Sequence, residues 1–485
     1  MKRSPAQSLC AFTILCFTLV STAQSQITDW PQWGRSPQHA GFIPATGQSP
    51  NQKITSVTYD PFVAQELAQS GGELLVHYQA PLVDKTQVFL EYKSGTYTGP
   101  NSWNSQIWNE RAYAWQGNDL VQQWNFESDW KPVPDGTHLG GWEPVFHAAI
   151  AKGFVYVPGF GGSIYKVNEA DGTEAAHYRP FGPTDDPNTY VTGPLTVDTA
   201  GNVYYNVVKL DANDAWNNDV NGAWLVKVTA QGVAHKVSYS VLVPGAPNTC
   251  DGAPCGHQRP SLNVAPAVSL DGKTVYTIAR AHFNSGFAYV VAASANQFTP
   301  MWNTSMRGLA GRTSVAYASD LSSSTPAVAP DTSILYGAVG NNGGRGYLLK
   351  LDANGSFVTS YDFGWDETPA IYPHDGTYSV ILKDNHYGTG GPFYITRLDS
   401  NLDPEWHYRN PSGREWCVNA PAVDATGTVY ANNEDGYVYV INPDGSLRGR
   451  IFLRLALGAA YTPIAIGRDG KIYTENAGDM FVVGN

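Results

Sequence analysis

The stretch PAVDATGTVYANNEDGYVYVINPDG, residues 421–445, reads as strand, glycine turn, strand, glycine turn, strand. Pro421-Ala422-Val423-Asp424 is followed by a turn at Ala425-Thr426-Gly427, by Thr428-Val429-Tyr430-Ala431, and by a turn at Asn433-Glu434-Asp435-Gly436. Tyr437-Val438-Tyr439-Val440-Ile441, the turn Asn442-Pro443-Asp444-Gly445 and a last run to Phe452 complete four strands. The same opening recurs at Pro81, Pro144, Pro194, Pro266, Pro326, Pro369 and Pro463, eight units in all. Repeated antiparallel four-stranded units predict an all-β chain folded as an eight-bladed β-propeller.

Proline lacks a backbone donor and is tolerated at a strand's start or on an edge, which suits an innermost strand whose free edge faces a central channel. The residues just before it are mostly small (Ala80, Gly193, Ala265, Thr325, Thr368, Ala420, Thr462), as expected where eight chains converge; Glu143 is the exception. The last unit has only three strands, ending in Met480-Phe481-Val482-Val483, which would leave an open outer edge. Residues 53–60 are therefore predicted to supply its fourth strand and close the ring.

Lys2 and Arg3, an apolar run from Leu9 to Val20 and then Ser21-Thr22-Ala23 have the layout of a secretory signal peptide, residues 1–23. Residues 24–485 then form one propeller domain, with a lead-in at 24–52. Removing Lys2 and Arg3 takes the net charge from −12 to −14, because residues 1–23 contain no acid. Such a surface repels nucleic acid and anionic lipid. No later stretch is apolar for long enough to span a bilayer. The expected product is a periplasmic or secreted monomer. Of its three cysteines, Cys250 and Cys255 form a short loop suited to a disulfide in an oxidising compartment, with a bridge to Cys417 as the rival pairing.

The pattern Pro-Ala-Val-x-x-x-Gly-Thr-Val-Tyr, followed by Asp-Gly-Tyr-Val-Tyr-Val-Ile-Asn-Pro-Asp-Gly-Ser, resembles the pyrroloquinoline quinone (PQQ)-like repeat of the quinoprotein alcohol dehydrogenase-like superfamily. The lead-in Asp29-Trp30-Pro31-Gln32-Trp33-Gly34-Arg35-Ser36-Pro37-Gln38-His39-Ala40-Gly41 is similar to that of many bacterial members. The resemblance implies eight blades, and, for catalytic members, PQQ and calcium. Two departures count against catalysis here. The alcohol-oxidising members carry a disulfide between adjacent cysteines, and this chain has no Cys-Cys pair. Their repeats also favour a blade-docking tryptophan after the third turn; Trp124, Trp302 and Trp406 fit, whereas the turns at Gly172, Gly232, Gly355 and Gly445 are followed by none.

If inner strands leave from an upper face, the loops entering each blade and those between second and third strands share that face, where functional loops gather. Lys383-Asp384-Asn385-His386 reads as a solvated polar loop; its sharper reading is an anion site at Lys383 with Asp384 and His386 moving a proton. Glu143 and Glu367, at two blade entrances, are candidate metal ligands, and Glu367 also a candidate base. Trp142 and Trp416 are candidate platforms for a flat quinone or a sugar ring, with packing between blades as the ordinary alternative. Arg345 and Lys383 would neutralise a cofactor's carboxylates. Two readings follow. One is an exported non-catalytic binding or scaffold module whose upper funnel holds a polysaccharide, peptide or envelope protein. The other is a divergent PQQ- and calcium-dependent dehydrogenase oxidising an alcohol or sugar.

Overall fold

The computed structural model describes residues 1, 29–85, 87–99, 103–134, 138–309, 316–340, 346–364, 367–385, 391–417, 420–458 and 463–485. The segment read as an export signal lies outside this set apart from Met1. Eight antiparallel sheets form the ring. The first blade holds Leu82–Asp84, Gln87–Gly95, Gln106–Gln116 and Asp119–Glu127; the second Ala149–Ala151, Phe154–Pro158, Ile164–Asn168 and Glu174–Tyr178; the third Thr189–Val197, Val203–Lys209, Gly222–Val228 and Ala234–Ser238. In the fourth and fifth the inner strand is broken into two pieces, Gln258–Pro260 with Ala267–Val268 and Ala316–Tyr317 with Ala327–Val328, each pairing with the same second strand. The sixth runs from Ala370–His374 to Pro404–Arg409 and the seventh from Ala422–Val423 to Leu447–Phe452.

The opening prolines sit where the missing N–H costs no ladder bond. Pro81, Pro266, Pro326, Pro369, Pro421 and Pro463 stand immediately before an inner strand, and Pro194 falls in a break of register between Thr192 and Thr196. Small residues beside them are a steric need: a Cβ on Gly193 would come within 2.4 Å of the Val264 carbonyl oxygen of the next blade.

The eighth blade is completed from the chain's beginning. Gln52–Thr58 pairs antiparallel with Asp479–Gly484, outside Ile472–Asn476 and Ile464–Ile466, as the three-strand count predicted. Val57 stands opposite Met480 and Ser56 opposite Phe481, so no outer edge is left bare.

Blades dock through an outer-strand aromatic laid over the neighbour's glycine turn. Trp124 covers Gly172 and donates Nε1–H to the Glu169 carbonyl at 2.9 Å; Trp302 covers Gly355 and donates to Ala353 at 3.0 Å; Trp406 covers Gly445 and donates to Pro443 at 2.9 Å. Where the sequence lacks the tryptophan, Tyr178 takes its place over Gly232, so the uneven pattern conceals a kept contact.

The lead-in has no regular structure, yet it visits the blades in order. The Trp30 and Val83 backbones exchange bonds in blade one, the Pro31 carbonyl accepts from Ile150 in blade two, and the Gln32 side chain pairs with Val197 in blade three. The carbonyls of Pro37, Gln38, Ala40 and Gly41 then accept from Val268, Val328, Ile371 and Val423 in blades four to seven, and Gln48 N–H donates to Gly470 in blade eight. Inner strands thus have their channel-facing edges capped by one circuit of chain. Trp30, Trp33 and His39 are buried in it; His39 reaches the Pro326 carbonyl of blade five at 2.8 Å and Thr196 Oγ1 of blade three at 3.2 Å. The lower end of the channel is therefore filled by the protein's own chain.

Candidate functional site

The upper face is the one from which the inner strands begin. Much of what the sequence placed there is buried instead of displayed. Lys383, Asp384 and Asn385, read as a solvated loop, are the last residues of the strand Thr377–Asn385 and are 1%, 1% and 2% exposed. The strand runs on because its end is held: the Lys383 N–H donates to Glu367 Oε2 at 2.6 Å, and the Asn385 amide bonds the Trp416 backbone both ways, at 2.6 and 2.8 Å. Asp384 accepts from the Tyr361 hydroxyl at 2.8 Å. His386 and Arg345 lie outside the described residues.

Trp416, the candidate platform, is fully buried and meets Tyr439 edge-on at 5.1 Å, which is the packing role of tryptophan. Trp142 is partly exposed and tilts against His77 at 5.0 Å. Cys250 and Cys255 are joined, with Cα atoms 5.0 Å apart. Cys417 is a free, partly exposed cysteine whose thiol donates to Glu434 Oε1 at 2.9 Å; burial pushes its pKa well up, and Glu434 and Glu415 push it further. The ligand atoms of Glu415, Cys417 and Glu434 lie within 4.8 Å of one another, close enough to share a cation.

Glu143 belongs to a different constellation. Lys93, on the second strand of blade one, is wholly buried and makes ion pairs with Asp60 at 2.7 Å, Glu66 at 2.8 Å and Glu143 at 3.0 Å. Burial alone would lower the Lys93 pKa, but the three carboxylates hold it well above its ordinary value. Asp60 is further tied by the Tyr78 hydroxyl and the Phe62 N–H, and Glu143 Oε2 accepts from Gln106 at 3.3 Å. Glu66 sits on the short helix Val63–Gln69; its Oε2 has no hydrogen-bond partner, and burial pushes its carboxyl up to about 8. Beside the cluster is a pocket of about 180 Å³ lined by Glu66, Glu143, Leu75, Val76, Tyr97 and Trp103. The sequence signal was the Trp-bearing insertion after Gly95 together with Glu143 breaking the small-residue rule; Asp60, Glu66 and Lys93 went unnoticed because they share no motif and lie on separate elements that only the fold brings together.

A second buried network joins blades four and five. Asp320 takes both terminal nitrogens of Arg259, at 2.8 and 2.6 Å, and Arg280 Nη1 at 2.8 Å. Burial alone would raise this carboxyl; the two guanidiniums hold it well below the usual carboxylate range. His138, 3.3 Å from the same carboxylate, stacks flat on Trp216 at 3.8 Å.

A flat quinone with calcium needs an open aromatic face, cations for its carboxylates and several oxygen ligands for the ion. Among the described residues those assigned these tasks do not build that cradle. Trp416 is covered, Lys383 is enclosed, and both Glu143 oxygens are already engaged by Lys93 and Gln106.

No protein-family model matches the chain, and no curated protein matches it. Solved structures do. A europium-containing methanol dehydrogenase aligns at 12% identity and a TM-score of 0.60, over 93% of this chain and 89% of that one. The quinohemoprotein alcohol dehydrogenase of Comamonas testosteroni aligns at 13% identity and 0.61, over 95% and 81%. The quinohemoprotein alcohol dehydrogenase ADHIIG of Pseudomonas putida HK5 aligns at 12% and 0.56, over 95% and 76%. At these identities the likeness is one of architecture alone: the chain is an eight-bladed β-propeller, as its own sheets show.

Proposed function

We propose that the protein is an exported, non-catalytic binding propeller that holds a polysaccharide, peptide or envelope protein at its upper face. One observation supports this reading: the lead-in packs along the inner strands at the lower end, whereas the pocket beside Glu143 lies at the entrance to blade two. A rigid ring presenting loops of different length is a scaffold for recognition. Export is supported by the layout of residues 1–23 and by the Cys250–Cys255 bridge, which belongs in an oxidising compartment. Among the described residues no helix is long and apolar enough to cross a membrane.

The second reading, a PQQ- and calcium-dependent dehydrogenase acting on an alcohol or sugar, is favoured by the fold likeness. Reconstitution separates the two. Purified protein given PQQ and calcium should show no saturable change in quinone absorbance and no rise in Tm. Saturable uptake together with dye-linked oxidation of an alcohol would replace the binding reading with the enzymatic one.

A further inference from the structure

Lys93 and Asp60 are both wholly shielded from solvent, with Lys93 Nζ 2.7 Å from Asp60 Oδ2. A primary amine held against a carboxyl group where water does not enter is the arrangement from which an amide forms, and fixed orientation of two partners is worth effective concentrations of about 10⁵–10⁸ M. Three carboxyl groups touch this amine, but that of Asp60 is the one set up for attack. Its Oδ1 accepts the Phe62 N–H at 2.9 Å, a donor placed where negative charge would gather. Its Oδ2 accepts the Tyr78 hydroxyl at 2.7 Å, a donor placed on the oxygen that would depart. Glu66 Oε2 has no donor, and Glu143 Oε2 has a long one from Gln106 at 3.3 Å, so neither carboxyl is polarised in this way. Glu143 Oε1, 3.0 Å from Nζ, is within reach to take a proton from the nitrogen, and burial pushes its carboxyl up, which strengthens it as a base.

We propose that Lys93 and Asp60 join through an isopeptide bond, Nζ to Cγ, with loss of one water. At rest the three carboxylates hold Lys93 as the ammonium. Across the 2.7 Å contact its proton passes to Asp60 Oδ2, and the ion pair becomes a neutral amine and a carboxylic acid, the form that a site without water favours. Nζ then adds to Cγ, and the negative charge falls on Oδ1 against the Phe62 N–H. Glu143 takes a proton from the nitrogen and returns it to Oδ2, which leaves as water while the C=O bond reforms. An ammonium and a carboxylate thus become one amide and one water, with no outside oxidant or proton. Asp60 lies just past the closing strand Gln52–Thr58, and Lys93 is on the second strand of blade one. The bond therefore fastens the last blade to the first, at the seam where the ring closes. This inference stands apart from what the upper face binds.

Tryptic mapping of the purified protein, denatured and reduced, by mass spectrometry tests this. Trypsin should fail to cut after Lys93, and the peptide carrying Asp60 should travel with the one carrying Lys93 as a single branched species, lighter than their sum by one water. Lys93→Arg keeps a cation among the carboxylates but offers no primary amine, so it should give two separate peptides and no loss of water. Asp60→Asn should yield the same branched species with ammonia lost in place of water. Glu143→Gln removes the base and should leave most of the chain unbridged, with an unchanged circular dichroism spectrum showing that the variant is folded. The map of the parent protein decides the matter whether or not a variant folds. Ordinary cleavage after Lys93 with the two peptides separate, or a loss of water that persists in Lys93→Arg, would overturn the proposal.

Discussion

Gln32 stands in for a strand beside Val197: its side-chain amide donates to the Val197 carbonyl at 3.1 Å and accepts the Val197 N–H at 2.8 Å. At blade three one side chain supplies both the donor and the acceptor that a strand backbone would. Gln32→Leu keeps similar bulk and strands two buried backbone groups, each costing about 1–3 kcal/mol. The expected result is an unfolding free energy, from urea titration, lower by about that combined amount, with Gln32→Glu intermediate because only the acceptor survives.

Glycine turns beneath docking aromatics should be less replaceable than glycine turns in the open. Gly355 and Gly376 both have φ near +80°, yet a Cβ on Gly355 would come within 2.6 Å of the Trp302 ring, whereas Gly376 has nothing within 4 Å. Gly376→Ala should cost the conformational penalty alone, about 1 kcal/mol. Gly355→Ala adds displacement of Trp302 and loss of its bond to Ala353, so its Tm should fall distinctly further.

Glu110 links blades one and two through Gln79, which donates to it at 3.0 Å and accepts from the Ala148 N–H at 2.7 Å. Burial pushes the Glu110 carboxyl up to about 8 from an ordinary 4.5. The folded state therefore holds a proton that the unfolded chain releases. The stability from this group is full below pH 4.5 and is lost as pH rises to about 8, at up to about 1.4 kcal/mol per pH unit. Glu110→Gln, which needs no proton, should be more stable than the parent at pH 8, and the gap should close toward pH 5; Tm profiles of the two proteins check this.

Lys93→Met should be among the most damaging single changes. It leaves Asp60, Glu66 and Glu143 buried without their shared cation, at a cost of about 3–5 kcal/mol. Adding Glu66→Gln to Lys93→Met should recover part of the loss, which a set of four urea titrations would show as a negative coupling energy.

The eight sheets were legible because each unit repeats the same order of proline, apolar run and glycine turn, and the closing strand because the last unit has too few strands to satisfy its own edge. Tyr178 over Gly232 was hidden because the expected residue type was tryptophan. The lead-in's route could not be read, since Gln32 and His39 act through isolated side-chain hydrogen bonds that leave no periodic trace. Lys383-Asp384-Asn385 misled for the opposite reason. Polar residues in sequence look solvated, but Glu367 and the Trp416 backbone, brought in by the ring, supply the partners that make their burial affordable.

Because residues 30–48 touch all eight blades in turn and residues 52–58 complete the last one, this early part of the chain gains its full set of neighbours only after residue 484 has been synthesised. Blades can mature one by one from local hairpins, but locking the wheel waits for contacts more than 400 residues apart, such as Gln52 against Gly484.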